Sequence, residues 1–103
     1  MEIRIQPSTE KDLDRGFDFY ERQRTCLGDY FLEILLSDIN KLQFTAGIHS
    51  KRGNLFRVKS KKFPHWIYYR IAESIIYVVA ILDARQAPSK IDQREKKEQE
   101  FFS

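Results

Sequence analysis

A chain of 103 residues has room for one compact domain with one modest core, and its 42% hydrophobic and 14% aromatic content is that of a folded protein. The longest nearly unbroken apolar run, Ile75 to Leu82, is less than half of what a bilayer-spanning helix needs, and no basic start followed by an apolar stretch marks a signal peptide. No membrane association is expected, and the location expected is the cytoplasm. A single cysteine, Cys26, excludes an internal disulfide, and the two histidines, His49 and His65, supply no metal-ligand cluster, so neither metal nor cofactor is expected.

The net charge of +3 conceals a segregation. Residues 1–43 and 73–103 are each slightly acidic, whereas residues 44–72 contain no Asp or Glu and carry Lys51, Arg52, Arg57, Lys59, Lys61, Lys62 and Arg70. Such a block attracts polyanions or an acidic protein partner, although a solvated basic surface has the same composition.

In chain order, "MEIRIQ" alternates Ile3 and Ile5 with polar residues, the period of a short half-buried strand that Pro7 ends. Thr9 and Asp12 have the spacing of a capping box, and Leu13, Gly16, Phe17 and Tyr20 recur at helical spacing to about Arg24. After a break near Gly28, "YFLEILLSDINKLQ" reads as a second helix with Phe31, Leu32, Ile34, Leu35, Leu36, Ile39 and Leu42 apolar. These positions spread over roughly 200° of arc, twice the usual core stripe. Either the sheet and the first helix wrap this face from two sides, or it is an open groove for a partner helix.

The loop "TAGIHSKRGN" leads to strands over 55–61, 66–72 and 75–83, with turns at Phe63–Pro64 and Glu73–Ser74, an antiparallel meander. Alternation places Ile67, Tyr69 and Ile71 with Phe56 and Val58 toward the helices, and leaves Arg57, Lys59 and Lys61 beside Trp66, Tyr68 and Arg70. The expected fold class is α+β: an N-terminal strand and a two-helix hairpin on a three- to four-stranded, mainly antiparallel sheet. Residues 1–91 form the single expected domain. The charged tail 92–103 is a helix with pairs such as Arg94–Glu98 and Lys96–Glu100, or is disordered, and ends in two exposed aromatics, Phe101 and Phe102.

This order of elements, with "EKDLDRGFDFYERQRTCLGDYFLEILLSDINKL", "GIH", "LFRVKSKKFPHWIYYRI" and "IYVVAILDARQAPSKI", resembles the RelE/ParE toxins of bacterial type II toxin–antitoxin systems over most of residues 1–91. The resemblance implies one fold with at least two chemistries. RelE-like members are ribosome-dependent mRNA endonucleases that use sheet Lys and Arg, an Arg beyond the last strand and a C-terminal Tyr. Carried over, that pattern falls on Arg57 and Lys59, with Lys61, Arg70 and Arg85 as further cations. Its middle-strand cation falls near Trp66, its next Arg on about Ala87 and its Tyr near Ile91, so at least two groups are missing. Each such loss removes about 10² to 10⁴ in rate. The "CLGDYF" turn resembles the ParE-like branch, which poisons DNA gyrase and is the branch this chain resembles more. Here Cys26 reads as a small buried apolar group.

The resemblance also implies a cognate antitoxin whose acidic or amphipathic C-terminal segment folds on binding, with DNA reached only through that antitoxin. Its expected contacts are Phe17, Tyr20, Phe31, Leu32, Leu35, Leu36 and Ile39 of the helix pair and Arg57, Lys59 and Trp66 of the sheet; Leu35→Glu or Phe31→Glu would then weaken capture. Trp66, Tyr68, Arg70 and Arg85 are the expected target-binding residues. Trp66 is equally readable as packing on Arg stems, and Arg85 as a partner of Asp83 or Glu73. His49 and His65 read as surface or packing groups, because neither has an adjacent nucleophile or orienting carboxylate.

Overall fold

The computed structural model describes residues 1–102, with the side chains of 87, 88 and 97–102 outside the described set. Strand β1 (Glu2–Ile5) is followed by helices α1 (Pro7–Gln23), α2 (Leu27–Asn40) and α3 (Leu42–Thr45), strands β2 (Lys51–Arg52), β3 (Leu55–Lys59), β4 (His65–Ala72) and β5 (Ile75–Asp83), and helix α4 (Ala87–Phe102). One five-stranded sheet has the order β1-β5-β4-β3-β2, antiparallel except where β1 runs parallel to β5. The fold is α+β, with one strand more than expected: β2 lies inside what reads as a loop, because two residues are too few to show alternation.

The sheet has apolar residues on both faces. Toward the helix hairpin, Ile67, Tyr69, Ile76, Val78 and Ile81 pack with Leu13, Tyr20, Phe31, Leu35 and Ile39. On the other face Leu55, Tyr68, Val79, Ala80 and Leu82 gather around Ile91 of α4. Ile91, the last residue before the tail, is 1% exposed, so α4, which begins at Ala87 and runs on into the tail, docks on the sheet. The side chains of Glu98, Glu100, Phe101 and Phe102, which carry the expected tail pairs and aromatic end, lie outside the described residues.

Both the meander and its second turn match the sequence pattern. Glu73 and Ser74 have φ of 52° and 63°, the left-handed pair of a two-residue hairpin that follows the twist of its strands. Val79 interrupts the β4–β5 ladder: Tyr69 pairs with Val78 and Tyr68 with Ala80, leaving Val79 as the extra residue of a bulge. That shift turns both Val79 and Ala80 toward the α4 side.

Two local readings are corrected. Thr9 and Asp12 do not cap α1; Gln6 is its N-cap, without a side-chain cap bond, and Pro7 starts the helix with φ pre-set. Instead Thr9 Oγ1 donates to Val78 O at 2.8 Å and Asp12 Oδ2 accepts from Ile81 N at 3.0 Å, because both residues face β5. Cys26 is exposed rather than buried, at φ 72° in the reversal between α1 and α2, where Glu21 accepts from its amide. A left-handed reversal of the chain directs this side chain outward, away from the core.

The wide apolar arc of α2 is covered from two sides. Phe31 and Leu35 are 0% exposed and Ile39 is 1% exposed, Leu32 and Ile34 pack partly against the core, and only Leu36, at 40%, lies open. Close approach of the hairpin depends on Gly16, where a Cβ would stand 2.4 Å from the Phe31 ring, and on Gly28 against Phe17.

Candidate functional site

On the sheet face that carries α4, two arginines lie over aromatic rings. The Arg57 guanidinium sits 4.3 Å from the Trp66 ring centroid and that of Arg70 sits 4.3 Å from Tyr77. The two pairs follow from register: Lys59 faces Trp66, Arg57 faces Tyr68 and Arg70 faces Tyr77. Such stacking attracts the charge to the ring quadrupole while keeping the face basic. Lys59 is exposed at its end, and Arg52 reaches Asp92 of α4 at 3.7 Å. Lys61 belongs to the following turn, where its amide and the Ser60 hydroxyl both donate to Asp38 of α2.

Tyr68 is 0% exposed beneath α4 and is not available for target binding in this conformation, a correction whose cause is the docked helix. Trp66 is half-buried and Arg70 likewise, while Arg85 is exposed. Arg85 donates twice to Asp83, from Nε at 3.1 Å and Nη2 at 2.9 Å. That bidentate pair, with the Arg85 amide, holds the Asp83 carboxyl at about 2, below its ordinary value. A depressed carboxyl stabilises the fold above the ordinary carboxylate range and loses that contribution as pH falls toward 2. Arg85→Gln is expected to return the Asp83 titration toward its ordinary value; carboxyl chemical shifts followed against pH check it, and an unmoved midpoint rejects this source of the shift.

His65 lies on the hairpin side. Its Nε2 is 3.1 Å from the Tyr20 hydroxyl, its ring stacks edgewise on Phe31, and burial lowers its pKa. His49 is also lowered by burial and meets the Tyr69 hydroxyl at 2.5 Å, which in addition accepts from Gly47 N. Both histidines are packing groups with hydrogen-bond partners, as their sequence surroundings suggest.

A cleft of about 540 Å³ opens between α1 and α4 over the end of β5. Arg15, Gly16 and Phe19 of α1, Leu82 and Asp83 of β5, and Lys90 and Arg94 of α4 are among its walls. At its side Arg94 is clamped on Asp12 by bonds of 3.0 Å from each of Nη1 and Nη2, and donates to Val79 O at 2.9 Å. The Asp12 side chain is 2% exposed and that of Arg94 17%, so this is a buried pair fastening α4 to α1 and to the bulge. A visible hint exists in the sequence: Asp12 shares the core stripe of α1 with Thr9, Gly16 and Tyr20, and a buried carboxylate requires a partner.

The profile of the family described as "ParE toxin of type II toxin-antitoxin system, parDE" matches residues 3–88, most of the chain. The chain belongs to the ParE toxin family. A search of curated proteins finds no significant match. Among solved structures, the chain is similar to one titled "Chromosomal ParDE TA system from P. aeruginosa", with 17% identity, a TM-score of 0.66, and coverage of 79% of this chain and 92% of that one. At such identity the likeness concerns the fold.

For a ParE-family toxin, the antitoxin contacts expected on the helix hairpin require correction. Phe31, Leu35 and Ile39 are core residues, Tyr20 is 9% exposed and Phe17 lies against Gly28, so Phe31→Glu and Leu35→Glu would disrupt folding before they altered capture. Leu36 and part of Leu32 remain reachable, as do Lys59, Arg57 and Trp66 at the sheet. Of the cations carried over from the RelE-like pattern, Arg57, Arg70 and Arg85 each have a local partner, whereas Lys59 is exposed. No helix among the described residues is long and apolar enough to cross a membrane, and no group among them could hold a metal ion.

Proposed function

We propose that this ParE-family chain inhibits growth by poisoning DNA gyrase, acts in the cytoplasm, and is neutralised by a cognate antitoxin through which alone it meets operator DNA. What supports a non-enzymatic action is the engagement of the arginines: Arg57 stacks on Trp66, Arg70 on Tyr77, and Arg85 is taken by Asp83. RNA cleavage needs cations converging on one phosphate with an acid–base partner. Here the histidines are bound to tyrosines on the hairpin side of the sheet instead.

Purified chain added to gyrase and plasmid is expected to block supercoiling and accumulate cleaved DNA, and to leave mRNA on programmed ribosomes uncut. Codon-dependent cuts without any effect on gyrase would replace this reading by the ribosome-dependent endonuclease, with Arg57, Lys59, Lys61, Arg70 and Arg85 as its cations. Harmless expression of folded protein would indicate an inactive homologue that only binds antitoxin.

A further inference from the structure

We infer that the outward face of α2 and α3 is an interface on which a second copy of this chain packs, antiparallel, about a two-fold axis. This goes beyond the toxin reading and does not depend on it.

The core takes one side of these helices, through Phe31, Leu35, Ile39 and Leu42, and the other side is left open. Leu36 is 40% exposed, Phe44 87% and Ile48, just past α3, 77%. Lys41, between the two helices, has φ −63° and ψ −20°, so the helical path continues across it and the open face is unbroken. A groove of about 490 Å³ runs along that face, with Glu33, Leu36, Asn40, Lys41 and Phe44 among its walls. A protruding Phe beside an apolar groove is a surface that a partner covers.

Charge and spacing select the partner. Glu33 is exposed and makes no ion pair among the described residues. The Lys41 ammonium stands 3.9 Å from Asp38, a carboxylate that already accepts from the Ser60 hydroxyl and the Lys61 amide. An isologous contact requires each group to meet its complement on an identical surface. Glu33 and Lys41 have their midpoint at Ser37, and Leu36 and Phe44 have theirs at Asn40. An axis between Ser37 and Asn40 therefore brings Glu33 within one helical turn of Lys41 of the second copy, and Leu36 within one turn of its Phe44. Each contact then occurs twice, and Ser37, small enough to let the helices approach, faces Asn40 across the axis. An acidic antitoxin segment is a poorer match, because this groove balances one acid against one base while the cations Arg57, Lys59 and Arg70 lie on the sheet. A stripe of about three turns covers less than the roughly 800 Å² per partner of a standard interface, so the dimer is reversible and follows concentration.

The test is sedimentation velocity of the purified full-length chain, freed of antitoxin, over a range of concentrations. The mass is expected to rise from monomer to dimer, and Phe44→Asp to weaken dimerisation by about tenfold or more. Phe19→Asp, at an exposed apolar residue of α1 outside the groove, is expected to change it less than about twofold. Glu33→Lys and Lys41→Glu should each weaken association, since each sets like charges against one another. An equimolar mixture of the two should associate better than either alone, because opposite charges meet again in the mixed dimer. Thermal melts show that each variant is folded, and Phe44→Ser replaces Phe44→Asp if the latter is not. A wild-type chain that stays monomeric, a dimer that persists in folded Phe44→Asp, or a mixture no better than its components would overturn the inference. So would a monomeric chain whose affinity for its antitoxin falls with Phe44→Asp, since the face would then belong to the antitoxin.

Discussion

Asp12→Ala is expected to destabilise the protein by about 3–5 kcal/mol, the cost typical of removing one member of a buried, hydrogen-bonded ion pair. The carboxylate accepts two bonds from Arg94 and one from Ile81 N, and its loss strands a guanidinium whose side chain is 17% exposed together with a main-chain amide of β5. Arg94 also holds the carbonyl of the bulge residue Val79, so the effect reaches α4, the bulge and α1 together. Urea unfolding measures it. Asp12→Leu/Arg94→Met should recover part of the loss, because an apolar pair needs no charge compensation, but leaves Ile81 N and Val79 O without these partners. A loss under about 1 kcal/mol for Asp12→Ala would mean that the carboxylate is solvated and α4 is fastened some other way.

Phe31→Ala should cost about 3–5 kcal/mol by emptying the centre of the aromatic cluster. Its ring lies 5.0 Å from Tyr20 and 5.2 Å from both Phe63 and His65, centroid to centroid, and is fully buried. The packing is tight enough that Gly16→Ala, whose new methyl would meet that ring at 2.4 Å, is expected to cost about 1–3 kcal/mol. A smaller residue at position 31 should relieve it, so Gly16→Ala is expected to be better tolerated in a Phe31→Leu background, a coupling that a double-mutant cycle reads. If Phe31→Ala left stability unchanged while reducing antitoxin affinity, the ring would belong to a docking surface and the packing described here would be wrong.

Much of the architecture is legible in the linear chain because local patterns decide it. Ile67, Tyr69 and Ile71 share a sheet face by alternation alone, Glu73–Ser74 separates two apolar runs by a hairpin's length, and the apolar repeat from Phe31 to Leu42 has helical period. The same period shows how much of α2 is apolar and is silent on what covers it. A helix wrapped from two sides and a helix with an open groove have one pattern, and only the positions of α1 and β5 distinguish them.

The candidate site was legible as composition rather than as geometry. An acid-free stretch from 44 to 72 and the family words point to a basic toxin of this fold, and alternation puts Arg57 on the face of Trp66, yet which cation meets which ring, Arg57 on Trp66 and Arg70 on Tyr77, depends on the register between strands. The cleft is more remote still, joining residues of α1 to residues of α4 about the end of β5.

What the sequence by itself determined is therefore the α+β class, the helix pair, the meander and the basic character of the middle segment, all set by periodicity, turn chemistry and charge within short windows. Only the tertiary structure decided that Thr9 and Asp12 serve β5 rather than cap α1, that Tyr68 lies under α4, and that Asp12 pairs with Arg94, 82 residues away. The physical reason is that burial and pairing depend on which surfaces meet after the chain has closed on itself, and residues far apart in sequence carry no local signal of that encounter.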